Sequence, residues 1–411
     1  MAGPNADDYH DERERLDPDR REAELFERLR DQLRHAKQRT AAGATLLRNV
    51  DPAAVTDRAA LARLPVLRKS ELMERQRTDP PFGGFLPDGT VPPRVFVSPG
   101  PIREPQPARA DPYGSARALH AAGFRAGDTL LNCFGYHGTP GGFILDEGAR
   151  ALGCTVYPAG PGNAEASVDA ARAFGAIGYV GTPDFLGVLL DRATGDALAL
   201  DRALVSGGAL LPSMRRSYAA RGVRAMQCLA TADLGVIAFE TASGDTVHEG
   251  MVVNEDLIVE IVTPGTGEPV APGEVGEIVV TPLAPDWPLV RLATGDMTRA
   301  LAGPSPCGRT NQRIAGWMGR ADQRTKVRGM FVDPAQVATL RARFPAIGRV
   351  RLVVGREGAG DAMELRYGGE ADGAALEAAM RDIFGLRGTA RRVHDLPADG
   401  VVIEDARDYE R

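Results

Sequence analysis

Three short polar segments in the C-terminal third of the chain carry side chains suited to binding a hydroxylated or charged ligand. Asp296 follows a Thr-Gly dipeptide, and a carboxylate presented by such a turn offers two acceptor oxygens to a sugar diol. Arg320 lies in the turn Gly-Arg-Ala-Asp (319–322), and Lys326 begins the segment Lys-Val-Arg-Gly (326–329). We expect these two glycine-containing segments to form a hinge between two domains. The alternative is that they only hold a domain interface together.

A second candidate region, residues 135–142, reads Gly-Tyr-His-Gly-Thr-Pro-Gly-Gly. Its glycines allow the backbone to approach a ligand closely, and the helix expected to begin here favours a carboxylate at its N-terminus. A plain strand-to-helix turn is the alternative interpretation. His137 is a candidate catalytic residue, although a hydrogen-bonded structural histidine fits the sequence equally well.

The composition is typical of a globular protein of two or three domains. The 411 residues include 43% hydrophobic residues and carry a formal net charge of -6, which argues against nucleic acid as a partner. No apolar run approaches the roughly 18–20 residues of a membrane helix, and the acidic N-terminus lacks a signal-peptide pattern. The cysteines are widely spaced without a CxxC pair, so we expect reduced thiols and a cytoplasmic protein.

Strands and helices alternate between residues 113 and 240, which predicts a mainly parallel sheet with helices packed on it. Two β-rich runs at 257–262 and 276–281 then indicate a small antiparallel subdomain. The residues beyond Gly329 indicate a small α+β tail. In the alternating region we predict strands at 129–134, 155–158 and 177–181, and helices at 116–122, 142–152, 164–174 and 185–192.

This succession of segments resembles the adenylate-forming enzymes (acyl- and aryl-CoA ligases and adenylation domains), and most closely their phenylacetate-CoA ligase branch. Residues 64–72 are similar to the family's LPxTTKxDL segment and residues 182–186 to its TPSYL segment. The resemblance covers essentially the whole chain. It implies an α/β fold with a large N-terminal domain (1–320) of mixed, mostly parallel sheets flanked by helices. A small β subdomain (about 245–318) lies within it, and a small α+β lid domain (321–411) follows.

The resemblance also implies a role for individual residues. The aromatic-glycine segment lines the carboxylate pocket of the family, which implies substrate binding by Tyr136, Gly138, Thr139 and Gly141. The resemblance implies that six residues bind the cofactor. They belong to the adenine-binding turn, the motif that follows it, the carboxylate that binds ribose and the arginine of the hinge: Ser206, Gly207, Gly208, Thr231, Asp296 and Arg320. The implied catalytic residues are His137, Asp233 and Lys326. Asp233 replaces a Mg²⁺-associated glutamate, and its oxygens can still serve as ligands.

The family's phosphate loop is altered. Where the family has Ser-Ser-Gly-Thr-Thr-Gly-Lys-Pro, residues 98–105 read Ser-Pro-Gly-Pro-Ile-Arg-Glu-Pro. Prolines remove backbone donors, Ile102 replaces a hydroxyl, and Glu104 places a negative charge where a lysine would neutralise phosphate. Arg103 can compensate in part, because a guanidinium binds phosphate well. We expect this loop to hold a nucleoside triphosphate poorly.

Two further features of the family are missing. No lysine follows Lys326, and Val401 stands near the position of the C-terminal lysine that stabilises charge during adenylation. Of the branch's Cys/His cluster only His248 and Cys307 remain, which is too few for structural zinc, so we expect no metal site. The resemblance therefore implies ATP or AMP, Mg²⁺ and CoA as ligands, and these changes weaken the expectation that each of them binds.

The sequence leaves three functions open. An active ligase would adenylate an aromatic or acyl carboxylate and pass it to CoA or another nucleophile. A repurposed enzyme would act on a pre-activated acyl or aryl substrate, an adenylate or thioester, with His137, Asp233, Glu240 and Cys228 as its polar groups. A non-catalytic homologue would bind a small acid or a partner subunit. We favour a divergent ligase-like protein whose standard ATP-dependent adenylation is impaired or replaced. A homodimer is implied only by the resemblance.

Overall fold

The computed structural model describes residues 8–98, 100–193, 198–244, 246–321, 325–357, 360–394, 396 and 402–407. The chain divides into two compact units, Met1–Gly319 and Arg320–Arg411. Their assignment as an adenylate-forming body and a lid stays a prediction. None of the helices in the described ranges combines the length and the apolar character needed to span a bilayer.

The first unit combines helices with one large mixed sheet, so the predicted α/β class is correct. Its helices are α1 (Pro18–Arg39), α2 (Ala41–Leu46), α3 (Arg58–Ala62), α4 (Lys69–Thr78), α5 (Ser115–Ala121), α6 (Gly141–Ala151), α7 (Ala164–Phe174), α8 (Pro183–Arg192) and α9 (Pro212–Ala219). Its strands are β1 (Leu67–Arg68), β2 (Val95–Val97), β3 (Arg103–Pro105), β4 (Thr129–Asn132), β5 (Thr155–Tyr157), β6 (Gly178–Gly181), β7 (Arg202–Val205), β8 (Arg224–Thr231), β9 (Gly235–Phe239), β10 (Ala242–Ser243), β11 (Thr246–Val247), β12 (Met251–Val253), β13 (Leu257–Val262), β14 (Val275–Pro282), β15 (Leu292–Leu301) and β16 (Arg313–Ile314).

The sheet runs in the order β13-β14-β15-β16-β12-β9-β8-β7-β6-β4-β5, with β1 paired to β15. In sheet order, β5, β4, β6, β7 and β8 are parallel, as the β-α alternation predicts, and β1 also pairs parallel with β15. The pairings from β8 to β13 are antiparallel. The tight turn between β8 and β9 marks the change of direction, and it carries Asp233. Strands β12 to β16 extend this same sheet, whereas β10 and β11 pair only with each other.

Local sequence signals explain where the helices begin and end. Helix α7 begins after Asn163, whose side chain accepts a hydrogen bond from the Ala166 amide across 3.0 Å. It ends at Gly175, which has φ 59°, a left-handed conformation that glycine adopts at little cost. Helix α1 packs Leu25, Leu29 and Leu33 into a buried cluster beneath the sheet.

The second unit contains β17 (Thr325–Val327), β18 (Met330–Val332), α10 (Pro334–Arg343), β19 (Val350–Glu357), β20 (Gly360–Tyr367), α11 (Gly373–Phe384), β21 (Thr389–Arg392) and β22 (Ile403–Asp405). Its main sheet has the order β21-β20-β19-β22 and covers one apolar core together with helix α11. The α+β character predicted for the tail is therefore correct.

Candidate functional site

The segment that the sequence analysis compares with the family's phosphate loop forms a β-hairpin. Strands β2 and β3 pair antiparallel, with Phe96 opposite Glu104. Inside the turn, the Ser98 amide donates to the Ile102 carbonyl across 2.9 Å, and the Ile102 side chain is buried. One backbone donor and one side chain of the loop are thus committed to the hairpin itself, while Pro99 lies outside the described residues.

Glu104 is the most unusual group of this hairpin. The residue is only 3% exposed, and neither carboxyl oxygen has a hydrogen-bond partner of acceptable geometry among the described residues. Burial and the neighbouring Asp233 hold the pKa of Glu104 well above its usual range, while Ser98 and Lys69 lower it in part. The position that would carry a phosphate-binding lysine therefore carries a carboxyl group that is forced towards its neutral form.

Asp233 lies beside Glu104 in the β8–β9 turn and is paired with Lys69, the first residue of α4. The Lys69 Nζ atom donates to Asp233 Oδ2 across 2.5 Å, and the two side chains are 25% and 2% exposed. Asp233 Oδ1 and the Thr231 hydroxyl oxygen are buried without a hydrogen-bond partner in the described chain. The catalytic candidate Asp233 and the cofactor candidate Thr231 thus lie at the same end of β8.

Lys69 is a charged neighbour of the candidate site that the sequence interpretation missed. The available signal was its rarity, since lysine occurs only at Lys37, Lys69 and Lys326, and its place in the segment 64–72. Arg103, expected to help bind phosphate, instead donates to the Gln76 carbonyl of α4 across 3.1 Å. Its backbone is held by the Gln76 side chain as well.

The candidate substrate segment lies next to the hairpin, because the Val97 amide donates to the Gly138 carbonyl across 2.8 Å. Tyr136 donates to Asp146 Oδ2 across 2.8 Å, and its ring contacts Phe143 edge-on at a centroid distance of 5.0 Å. Burial raises the pKa of both Tyr136 and Asp146. A Cβ atom on Gly142 would lie 2.8 Å from the Tyr136 ring, so a glycine is required there.

The other members of this segment are less enclosed. His137 and Gly138 are exposed, Thr139 is half-buried, and Gly141 begins helix α6. The structure thus brings Tyr136 and Gly138 close to the hairpin and leaves the His137 side chain at the surface. A catalytic role for His137 stays a prediction.

The adenine-turn candidates lie at the end of the neighbouring strand β7. The Ser206 hydroxyl donates to the Cys228 carbonyl of β8 across 2.9 Å, which anchors the turn to the sheet. Gly207 has φ 74°, and a Cβ on Gly208 would lie 3.5 Å from the Pro183 ring, an ordinary contact distance. Gly207 therefore has the stronger conformational requirement for glycine.

Two further polar groups named for a repurposed enzyme are Glu240, which has structural partners, and Cys228, which is a buried thiol. Arg215 forms two hydrogen bonds to Glu240, of 2.7 and 3.0 Å, and the Gln227 amide donates to the same carboxylate. Burial raises the pKa of Cys228 to about 12, so its thiol is neutral and unreactive at neutral pH.

Asp296 lies within strand β15 and not behind a turn, which corrects the sequence interpretation. The pairing of β14 and β15 shifts register between Glu277 and Val279, opposite residues 294–296, and Gly295 has φ 77°. Such a bulge changes the direction of a side chain within a strand. The Asp296 carboxylate accepts from the Trp317 indole N–H across 3.0 Å, and the residue is 9% exposed.

The hinge candidates belong to the second unit. The Arg320 guanidinium and the Lys326 ammonium each lie 5.9 Å from the centre of the Phe331 ring, a distance at which a cation is attracted to an aromatic face. Asp322 and Val401 lie outside the described residues.

The residues left from the Cys/His cluster do not fit a zinc site. Burial raises the pKa of Cys307, but hydrogen bonds from Ser305, Thr241 and Arg309 outweigh it and lower the pKa overall. His248 instead contacts the Ser243 hydroxyl at 2.9 Å. In the described ranges, no group of three or more His, Cys, Asp or Glu side chains is arranged to hold a metal ion, whereas a structural zinc takes four ligands.

Comparison with known proteins agrees with the arrangement of these segments. A phenylacetate-coenzyme A ligase of Thermus thermophilus is 31% identical over 335 residues, covering 77% of this chain and 74% of that protein. The phenylacetate-coenzyme A ligase of Pseudomonas putida is 31% identical and covers 80% of this chain and 79% of that protein. The one of Aromatoleum evansii is 28% identical and covers 86% of this chain and 82% of that protein. No family model matches the sequence.

Solved structures show a similar fold. A 2-hydroxyisobutyryl-CoA ligase in complex with 2-HIB-AMP and CoA has a TM-score of 0.83 at 24% identity, covering 99% of this chain and 94% of that one. An amide bond synthetase from Marinactinospora thermotolerans has a TM-score of 0.53 at 18% identity, over 74% of this chain and 66% of that one.

Proposed function

The chain belongs to the phenylacetate-coenzyme A ligase family of adenylate-forming enzymes, and we propose that it transfers an aromatic or acyl group that is already activated. In this proposal ATP-dependent adenylation is impaired or replaced. The substrate would be an adenylate or a thioester of a small carboxylic acid, and the acceptor a thiol such as CoA or another nucleophile.

The observation that carries the proposal is the buried pair of Glu104 and Asp233. A triphosphate placed against this hairpin would meet the carboxyl group of Glu104, which is driven towards its neutral form, and the Asp233 carboxylate. Neither offers the positive charge that binds phosphate, and the nearby cations have other partners. Lys69 is bonded to Asp233, and Arg103 donates to a carbonyl of α4.

The test is pyrophosphate exchange with the full-length chain and a panel of aryl and fatty acids. We expect no ATP-dependent exchange, together with transfer from preformed adenylates or thioesters. Robust exchange with any acid would contradict the proposal. Ligand stabilisation without any turnover, measured as a thermal shift with AMP, CoA and aromatic acids, would favour the non-catalytic alternative. A ligand at 100 times its Kd stabilises by about 2.7 kcal/mol, which such a screen detects.

A charge-reversal variant sharpens this test. Glu104→Lys restores a cation at the position where the family carries its lysine, so we expect it to increase ATP affinity. Glu268→Lys adds the same charge in an exposed loop and serves as the matched control. Equal ATP affinity in both variants would argue against Glu104 as the excluding group.

A further inference from the structure

We propose that Gln227 is a positioning residue, which fixes the turn 206–211 through the Leu210 amide for the nucleoside part of an activated substrate. Arg215 and Glu240 in turn hold Gln227 in its place on β8. The inference rests on the proposed function, in the form in which the activated acyl donor is an adenylate and brings a nucleoside to the site. It is carried by hydrogen bonds that join the turn, strand β8 and helix α9.

The turn between β7 and α9 has buried ends and an exposed middle. Ser206 and Leu210 are 6% and 8% exposed, whereas Gly207 and Gly208 are exposed. From Gly207 to Ala209 no side chain is polar, so this stretch can bind a ligand only through backbone N–H and C=O groups. A purine base offers matching donors and acceptors along its edges. Because a hydrogen bond weakens steeply when its groups are misaligned, such recognition needs a turn with rigid anchors.

Strand β8 supplies an anchor at each end of the turn. At its start, the Ser206 hydroxyl donates to the Cys228 carbonyl across 2.9 Å. At its end, the Leu210 amide donates to Oε1 of the Gln227 side chain across 3.2 Å. Because Gln227 and Cys228 are consecutive, the strand sets the distance between the two ends of the turn. Leu210 is a buried residue, so loss of the Gln227 acceptor would leave its amide without a partner at a cost in free energy.

The backbone of Gln227 is held by Glu240, the residue that follows β9. The Gln227 amide donates to Glu240 Oε2 across 2.7 Å, and the Glu240 amide donates to the Gln227 carbonyl across 2.9 Å. Arg215, near the start of α9, donates to both oxygens of the same carboxylate across 2.7 and 3.0 Å. It also donates to the Ala225 carbonyl of β8 across 2.6 Å. Since a bidentate arginine–carboxylate pair has a fixed geometry, Arg215 and Glu240 set helix α9 against β8.

Together these contacts form a closed circuit. The chain leaves β7, makes the turn and enters α9, and the side chains of Arg215, Glu240 and Gln227 lead from α9 back to Leu210. A displacement of the turn would therefore break hydrogen bonds at several points of the circuit. Hydrogen bonds of this kind keep binding groups within the roughly 0.5 Å that a binding geometry requires. Of the three side chains, that of Gln227 contacts the turn itself, so its replacement should act on nucleoside binding more than on folding.

The first experiment measures the binding of adenosine to the full-length chain by calorimetry. Gln227→Met keeps the length of the side chain and removes the acceptor, so the affinity should fall by about 10-fold. Gln227→Glu keeps an acceptor oxygen at the same place, and uncharged adenosine is not repelled by the new carboxylate, so this variant should bind like the wild type. Gln38→Met, at an exposed position of α1, is the matched control. Unchanged affinity in Gln227→Met, or no rescue by Gln227→Glu, would overturn the inference.

The second experiment compares two acyl donors, phenylacetyl adenylate and the phenylacetyl thioester of N-acetylcysteamine, which carries no nucleoside. Gln227→Met should raise KM for the adenylate by about 10-fold and leave KM for the thioester nearly unchanged, because only the adenylate uses the turn. An equal effect on both donors would indicate a general loss of structure and overturn the positioning role. A wild type that transfers from the thioester without binding adenosine would overturn the inference alone. A wild type that binds adenosine but transfers from neither donor would instead overturn the proposed function.

Discussion

Lys69 donates a hydrogen bond to Asp233 Oδ2 across 2.5 Å and thereby joins helix α4 to the turn between β8 and β9. The two residues are 164 positions apart in sequence. The Asp233 side chain is almost fully buried, while that of Lys69 is 25% exposed. Asp233 is therefore part of an ion pair that also borders Glu104, and its behaviour depends on both neighbours.

Replacing Lys69 by methionine should destabilise the protein, because Asp233 then keeps its buried charge without a partner. We expect the free energy of unfolding to fall by about 1.5–3 kcal/mol, the usual range for a hydrogen bond to a charged group. Urea denaturation at pH 7 measures it. Arg77→Met, which removes an exposed ion pair with Glu74, is the control and should leave the stability nearly unchanged. Equal losses in both variants would contradict this assignment.

The raised pKa of Glu104 predicts that the stability of the folded protein falls as pH rises. The folded state retains the proton at pH values where the unfolded chain, with a glutamate pKa of about 4.3, has lost it. The contribution of Glu104 is fully present below that value and is lost as pH rises through the folded-state pKa. The steepest change possible for one proton is about 1.4 kcal/mol per pH unit.

Glu104→Gln isolates this effect from other buried acids such as Asp111 and Glu240, whose pKa values are also raised by burial. Glutamine cannot ionise, so the variant should gain stability relative to wild type as pH rises from 5 to 8. Urea denaturation across this pH range measures the difference in free energy of unfolding between the variant and the wild type. A constant difference would show that Glu104 ionises at its ordinary pKa in the folded protein.

Much of the first unit's fold was predictable from local sequence patterns. Helix 164–174 was predicted with its observed ends, because Asn163 and Gly175 are residues that cap and terminate helices. Strand β3 was not predicted, since its segment contains prolines that normally oppose strands. The strand position of Asp296 was missed for a similar reason, because Gly295 suggested a turn where the structure has a bulge.

The candidate site was predictable only in part. Its position at the ends of β7 and β8 follows from the motifs around Ser206 and Thr231. The pairing of Lys69 with Asp233 does not follow from them, because it depends on how distant elements pack. The charge at Glu104 could be noticed in the sequence, but its burial could not, since an alternating strand pattern does not reveal which face of a short hairpin is covered.

Arg291 should matter for folding, since its guanidinium is buried among four partners of the first unit. It pairs with Glu260 at 2.9 Å and donates to the carbonyls of Ala62, Leu64 and Gly267. Arg291→Met should therefore lower the free energy of unfolding by about 3–5 kcal/mol, measured by urea denaturation. Arg20→Met, at an exposed pair with Glu24, is the control, and a similar small loss in both would refute the structural role.

Chelation should leave stability unchanged, because the residues around Cys307 satisfy one another without a metal. The Cys307 sulfur lies 3.0 Å from the Ser305 hydroxyl and 3.5 Å from Arg309 Nη1, and Arg309 is itself paired with buried Glu14. We expect the same Tm before and after dialysis against EDTA, and no stoichiometric zinc by elemental analysis. A drop in Tm that added zinc reverses would show a metal site.

Asp296 should contribute to AMP affinity if the ribose role implied by the family applies to this chain. The Trp317 indole N–H donates to Asp296 Oδ1 across 3.0 Å, which orients the carboxylate within the bulge of β15. Asp296→Ala removes the acceptor, so we expect AMP affinity by calorimetry to fall by about 10- to 100-fold, corresponding to hydrogen bonds made by a charged group. Trp317→Phe keeps the carboxylate but loses its orienting donor, so its loss should be smaller. AMP affinity unchanged in Asp296→Ala, with the fold intact by circular dichroism, would mean that Asp296 serves the bulge and not a nucleoside.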